Sequence, residues 1–164
     1  MKKLILMVIM CAPLAVFAQK FGHIDSNALL ASLPEAIRVQ GELEKMGKEY
    51  EAELTAMQNE FQKKVEDYDK TKSTMTAAKQ AENEQQLQEM YNKIQQAAAD
   101  NQQAFNKAQE EKLKPIIEKV RAAIETVAKQ GKYVYIMEQA SAQPIFINTE
   151  VSTDITAEVK ALLK

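Results

Sequence analysis

Three groups in this chain have residue types that chemistry could use: the lone cysteine Cys11, the lone histidine His23, and the carboxylates Glu66, Asp67 and Asp69. None makes a reactive constellation. A structural or catalytic zinc site draws three or four ligands mostly from Cys and His, and one of each is too few. The four glycines, Gly22, Gly41, Gly47 and Gly131, are too far apart for a loop that cradles phosphate. A Ser-His-Asp arrangement would have to use His23, and no serine sits in an elbow context. The acidic cluster lies among Lys63, Lys64 and Lys70 on a polar, solvated stretch, which is no setting for acid–base catalysis. The expectation is a protein without catalytic residues, metal or cofactor, whose His23 is structural.

What organises the chain is a stripe. From Glu35 outward the apolar residues are Val39, Leu43, Met46, Tyr50, Leu54, Met57, Phe61, Val65 and Tyr68, spaced by threes and fours as on one face of an α-helix. Beyond Met75 a second series, Leu87, Tyr91, Ile94, Ala98, Phe105, Ala108 and Leu113, runs back. Pairing Leu43 with Ala108, Met57 with Ile94, Phe61 with Tyr91 and Val65 with Leu87 gives position sums of 151 or 152, the signature of an antiparallel helical hairpin. The turn belongs at Thr71 to Thr76, where hydroxyl and β-branched residues are poor helix formers. Legs of about 38 residues would stand roughly 55 Å long, with Glu, Lys, Gln and Asn on the solvated faces.

Around that arm, residues 35–114, the other segments fall into place. Residues 1–18 read as a signal peptide: Lys2 and Lys3, an apolar run from Leu4 to Phe17, and a small-residue site that places cleavage after Ala18. The run is too short to remain as a membrane span. Met10 is too bulky ahead of Cys11 for a lipoprotein signal, so the expected product has no cysteine and no disulfide. It carries a net charge of −4, which disfavours nucleic acid as a partner.

Residues 19–34 and 115–164 should form a small body. Phe21 and Ile24 would face inward from a strand over Lys20 to Asp25, with Asp25 and Ser26 starting a short helix. Pro34 suits the first turn of the outgoing helix. Pro115 marks where the returning helix meets the body, and Gly131 is expected at its C′ position. Tyr133 to Met137 and Pro144 to Ile147, rich in β-branched and aromatic residues, are predicted strands, and Asp154 is expected to start a closing helix. The fold class is α+β, mostly helical. So small a body buries too little apolar surface by itself, and oligomerisation through Phe21, Ile24, Tyr133, Tyr135, Ile145 and Phe146 is the expected remedy. Gly41 and Gly47 interrupt the helix near the base of the arm and are hinge candidates. At the tip, residues 61–80 hold five lysines against three acids. Lys72, Met75 and Lys79 are the candidate contacts there, with Met75 expected exposed and adaptable.

The chain resembles the Skp/OmpH family of chaperones. The resemblance rests on the opening Phe21-Gly22-His23-Ile24-Asp25-Ser26, the long hairpin, Tyr133-Val134-Tyr135-Ile136-Met137, and the closing Thr153-Asp154-Ile155-Thr156-Ala157-Glu158-Val159. It implies a periplasmic homotrimer whose arms enclose unfolded outer-membrane proteins without ATP; transient membrane-surface contact is an expectation from the tip lysines and not from the resemblance. One departure concerns charge: familiar members have basic arms, whereas residues 41–113 here hold ten Lys against fifteen Asp and Glu, so no lipopolysaccharide-binding residues carry over. The alternative is a coiled-coil structural or adaptor protein of the cell envelope, which should show a sharp apolar patch at the hairpin tip.

Overall fold

The computed structural model describes residues 19–142 and 144–163; the expected export segment lies outside them. Strand β1 (Lys20–Ile24) leads through the short helix α1 (Ser26–Ala31) into α2 (Pro34–Thr71). A 3-10 turn (Lys72–Thr74) reverses the chain into α3 (Ala77–Gly131), followed by β2 (Tyr133–Glu138), the single turn α4 (Gln139–Ala142), β3 (Ser152–Asp154) and α5 (Thr156–Leu162). The chain divides into two compact units, one from the residues up to Asn27 together with those from Ala122 onward, the other spanning Ala28–Arg121.

The sheet explains the connectivity. Its order is β2-β1-β3 and both pairings are parallel. Parallel neighbours cannot be joined by a tight turn and need a crossover; between β1 and β2 that crossover is the helical hairpin itself. β1, hydrogen-bonded on both sides, buries Gly22, His23 and Ile24 in succession, the continuous burial expected of a central parallel strand. The other buried apolar residues of this unit are Ala123, Val127, Ile155 and Val159.

In the second unit, α2 starts with Pro34 in its first turn, where a missing N–H costs nothing. Cross-helix pairs fix the register: Phe61 with Tyr91, Tyr68 with Glu84, Glu53 with Asn101, Glu42 with Lys112 and Glu35 with Lys119. Their position numbers sum to 152 or 154, so the hairpin is antiparallel and near the expected register. Burial is concentrated at one end of it, although Ile94 is also buried farther out. Ala36, Val39, Leu43, Ile116 and Val120 are buried, whereas Tyr50, Leu54, Phe61, Val65 and Leu87 are only half-buried. Where two helices meet with no third element, only a narrow stripe is covered, and Tyr91 and Ala98 remain exposed.

Several expectations need correction. Pro144 to Ile147 is not a strand; the third strand is the polar Ser152–Asp154. High β-propensity registers fit to a half-buried pleated surface rather than a backbone preference, and Ile145 and Phe146 stand almost wholly in solvent. Asp154 ends β3 instead of starting the closing helix, and its carboxylate accepts hydrogen bonds from both the N–H and the hydroxyl of Thr156. Gly131 is the last helical residue, while the left-handed position falls to Lys132, with φ 54°. The glycine is needed for space: a Cβ there would lie 2.3 Å from Tyr133 Cε2. Pro115, by contrast, is as the helical spacing beyond it leads one to expect: it sits within α3, which continues through it to Gly131.

Candidate functional site

The sheet-bearing unit presents an apolar surface. Phe21 and Tyr135, side by side through the β1–β2 pairing, hold their rings 4.9 Å apart and tilted by 44°. The Lys20 ammonium lies 5.8 Å from the Tyr133 ring centroid, within reach of a cation–π attraction. A cavity of about 200 Å³ is lined by Phe21, His23, Tyr135, Met137, Phe146 and Val151, among others. Tyr135 is 54% exposed, Ile145 fully exposed and Phe146 80% exposed. Val134 and Val151, which the sequence reading did not single out, are exposed with them. Of the residues expected at a subunit contact, Ile24 is the exception: it is buried and offers no surface.

His23 takes the structural place expected of it. Buried on the central strand, it shares a 2.9 Å hydrogen bond between Nδ1 and the Ser152 hydroxyl, and its carbonyl accepts from the Ile155 N–H. Nearby, burial pushes the Asp154 carboxyl up, but the two hydrogen bonds from Thr156 and the charge interaction with His23 outweigh it and hold the group below the ordinary carboxylate range. Among the described residues, no group of three potential metal ligands comes together, and no helix is long and apolar enough to cross a membrane.

On the hairpin, the tip residues are engaged locally. Lys72 pairs with Asp69 and Lys79 with Glu82, both at 2.7 Å. Met75 was expected in solvent but is half-buried, and the Asn83 amide donates to its sulfur at 3.6 Å. The Gln80 amide ties the turn by donating to the Lys72 carbonyl at 2.7 Å. The tip lysines with no ion-pair partner among the described residues are therefore Lys63, Lys64 and Lys70, rather than Lys72 and Lys79.

Nearer the base, Gly41 and Gly47 differ. A Cβ at Gly41 would meet nothing within 4 Å, so no packing demands glycine there, whereas one at Gly47 would touch Phe105 Cε2 at 3.7 Å. Gly47 also lines an open groove of about 550 Å³ together with Tyr50, Glu51, Leu54, Ala98 and Phe105. The sequence carried a signal for it that went unread: small residues, Gly47 and Ala98, lie beside two aromatics on the same stripe.

One unit is a long helical hairpin, and the other is a small parallel sheet with apolar side chains exposed, the make-up of a binding protein without a reactive centre among the described residues. The family described as "Outer membrane protein (OmpH-like)" matches residues 20–163, and the chain belongs to it. It is 23% identical over 151 residues to the chaperone protein Skp of Yersinia enterocolitica, covering 92% of both chains, and 22% identical over 143 residues to that of Pectobacterium atrosepticum, covering 87% of both. The fold is that of an OmpH-like protein from Caulobacter crescentus CB15, with a TM-score of 0.72 at 19% identity over 88% of this chain and 83% of the other. The family is one of chaperones and not of enzymes.

Proposed function

We propose that the protein is an ATP-independent holdase of the periplasm which, as a homotrimer, encloses unfolded outer-membrane proteins between its helical arms and prevents their aggregation. The observation that carries this reading is the bare apolar surface of the sheet-bearing unit, where Val134, Tyr135, Ile145, Phe146 and Val151 stand in water and the outer edge of β2 pairs with no further strand among the described residues. Exposed apolar patches and free strand edges favour association with another chain. Family membership supplies the class of activity and the compartment, and the signal read in residues 1–18 supports export.

The mechanism follows from multiplicity. Several arms around one client, each making weak contacts, raise the client's effective concentration near every arm, so avidity is high although each contact exchanges quickly. Binding the unfolded form lowers its free population, and aggregation with it. No bond is made or broken, and no nucleotide is needed. Lys63, Lys64 and Lys70 suit brief contact with an anionic membrane surface. An adaptor docking through its hairpin tip finds no support in a tip that is polar and internally bonded.

Sedimentation velocity of the mature protein, alone and mixed with an outer-membrane barrel protein diluted from urea, tests the reading. A species of three times the monomer mass that takes the client into a soluble complex is expected. A monomer, or an oligomer that leaves the client to aggregate, would overturn it.

A further inference from the structure

The two flanks of the arm are built differently. At about 100° per residue, Glu35, Glu42 and Glu53 lie on one flank of the α2 seam, and all three reach across to α3, at Lys119 (2.8 Å), Lys112 (2.7 Å) and Asn101 (3.2 Å), the last of which also lines the groove on the far side of the seam. Glu51, Thr55 and Gln58 lie on the other flank, where they border the groove of about 550 Å³ instead of closing it. Its aromatic lining is Tyr50 and Phe105, and Gly47 adds no side chain to it; a Cβ there would make ordinary contact with Phe105 Cε2 at 3.7 Å, so a long side chain would extend into the groove. The volume falls within the range of small-ligand sites. Charge marks its rim. The two nearby lysines are already taken, Lys48 by Glu44 at 2.6 Å and Lys45 by Glu49 at 3.7 Å. Glu51 meets no cation among the described residues.

We propose that this groove is a subsite for one extended segment of client polypeptide, seating an aromatic side chain between Tyr50 and Phe105 and a Lys or Arg two residues along against Glu51. This deepens the holdase reading and rests on it. Residues i and i+2 of an extended chain point to the same side about 7 Å apart, so an aromatic–x–Lys/Arg sequence presents both groups together. An acidic rim beside aromatic faces favours a cation twice, by charge pairing and by the ring quadrupoles. The same rim disfavours an aromatic–x–Glu segment, which gives the arm a preference among unfolded chains.

Binding of fluorescent dodecapeptides to the full mature protein, measured by anisotropy, tests the proposal. A peptide of repeated Phe-x-Lys should bind. Its affinity should fall at least tenfold in Gly47→Leu, which plugs the groove while replacing a poor helix former with a good one, and in the surface variant Glu51→Lys. A Phe-x-Glu peptide should bind at least tenfold more weakly than Phe-x-Lys. A photo-crosslinker at Thr55 should capture the peptide, and one at Glu49, on the opposite flank, should not. Unchanged affinity in both variants, equal binding of the two peptides, or equal capture at the two positions would overturn the subsite. So would peptide-independent crosslinking of two copies through Thr55, which would make the groove an arm–arm contact. Failure of the holdase reading is separate: wild-type protein would leave a denatured barrel protein to aggregate whatever the peptides do.

Discussion

Gly131 and Tyr133 are packed so closely that a Cβ on the glycine would fall 2.3 Å from Tyr133 Cε2 and 2.7 Å from Cδ2. The end of α3 and the start of β2 are thereby fixed together, and the left-handed position that closes the helix moves one residue on, to Lys132. Two substitutions separate these roles. Gly131→Ala should cost about 1–3 kcal/mol, because the Tyr133 ring must be displaced. Lys132→Gly should stabilise by up to about 1 kcal/mol, because glycine adopts positive φ without the Cβ penalty. Urea unfolding of both variants checks the pair, and equal effects would remove the assigned roles.

The carboxylates of the arm predict an acid limit to stability. Glu42 is held below its ordinary range by the hydrogen bond from Lys112 and then by that from Arg38, and Glu44 and Glu125 are lowered by Lys48 and Lys129. A group whose folded-state pKa is depressed contributes stability that is present above its unfolded pKa and lost as pH falls through the folded one. Thermal midpoints should therefore be flat near neutrality and drop below about pH 4. Each pair is solvent-exposed and worth little individually, so Glu42→Gln should flatten the acid limb slightly while leaving the neutral midpoint nearly unchanged. Circular dichroism melts across pH read both.

Gly41 is a helix interior position with open space around it, so Gly41→Ala should stabilise α2 by roughly 1 kcal/mol. If the base of the arm bends to admit clients, the same change should reduce the amount of client held per oligomer. A raised midpoint with undiminished client capacity would leave Gly41 as a tolerated interruption and not a hinge.

How much of this was legible in the sequence depended on what set each position. The hairpin was readable because its register is written twice, once on each leg, and the turn falls where neither stripe continues. The strand Tyr133–Glu138 was readable to within a residue from its run of β-branched and aromatic side chains. Ser152–Asp154 was not: three polar residues carry no period, and they form a strand because β1 offers a free side for backbone pairing. Pro144 to Ile147 misled for the complementary reason, since Ile145 and Phe146 find little among the described residues to cover them. The groove beside Gly47 was hidden because a glycine in a helix reads as a defect until its neighbours across the seam are known.

Ile145 and Phe146 give the sharpest test of assembly, because they contribute so little to the fold of the single chain. At 105% and 80% exposure, they have nearly all their surface to lose on association and almost none buried beforehand. The double change Ile145→Ser with Phe146→Ser should leave helix content and the monomer's fold intact, yet reduce the sedimenting species from three times the monomer mass toward one. Client holding should fall with it, because avidity requires several arms on one client. Ile24→Ala is the contrast: it empties a buried site and should cost about 2–5 kcal/mol of stability. A double variant that still sediments at three times the monomer mass would move the subunit contact away from this surface. A variant that dissociates yet protects the client at equal arm concentration would show that a single arm suffices and that enclosure is not the basis of holding.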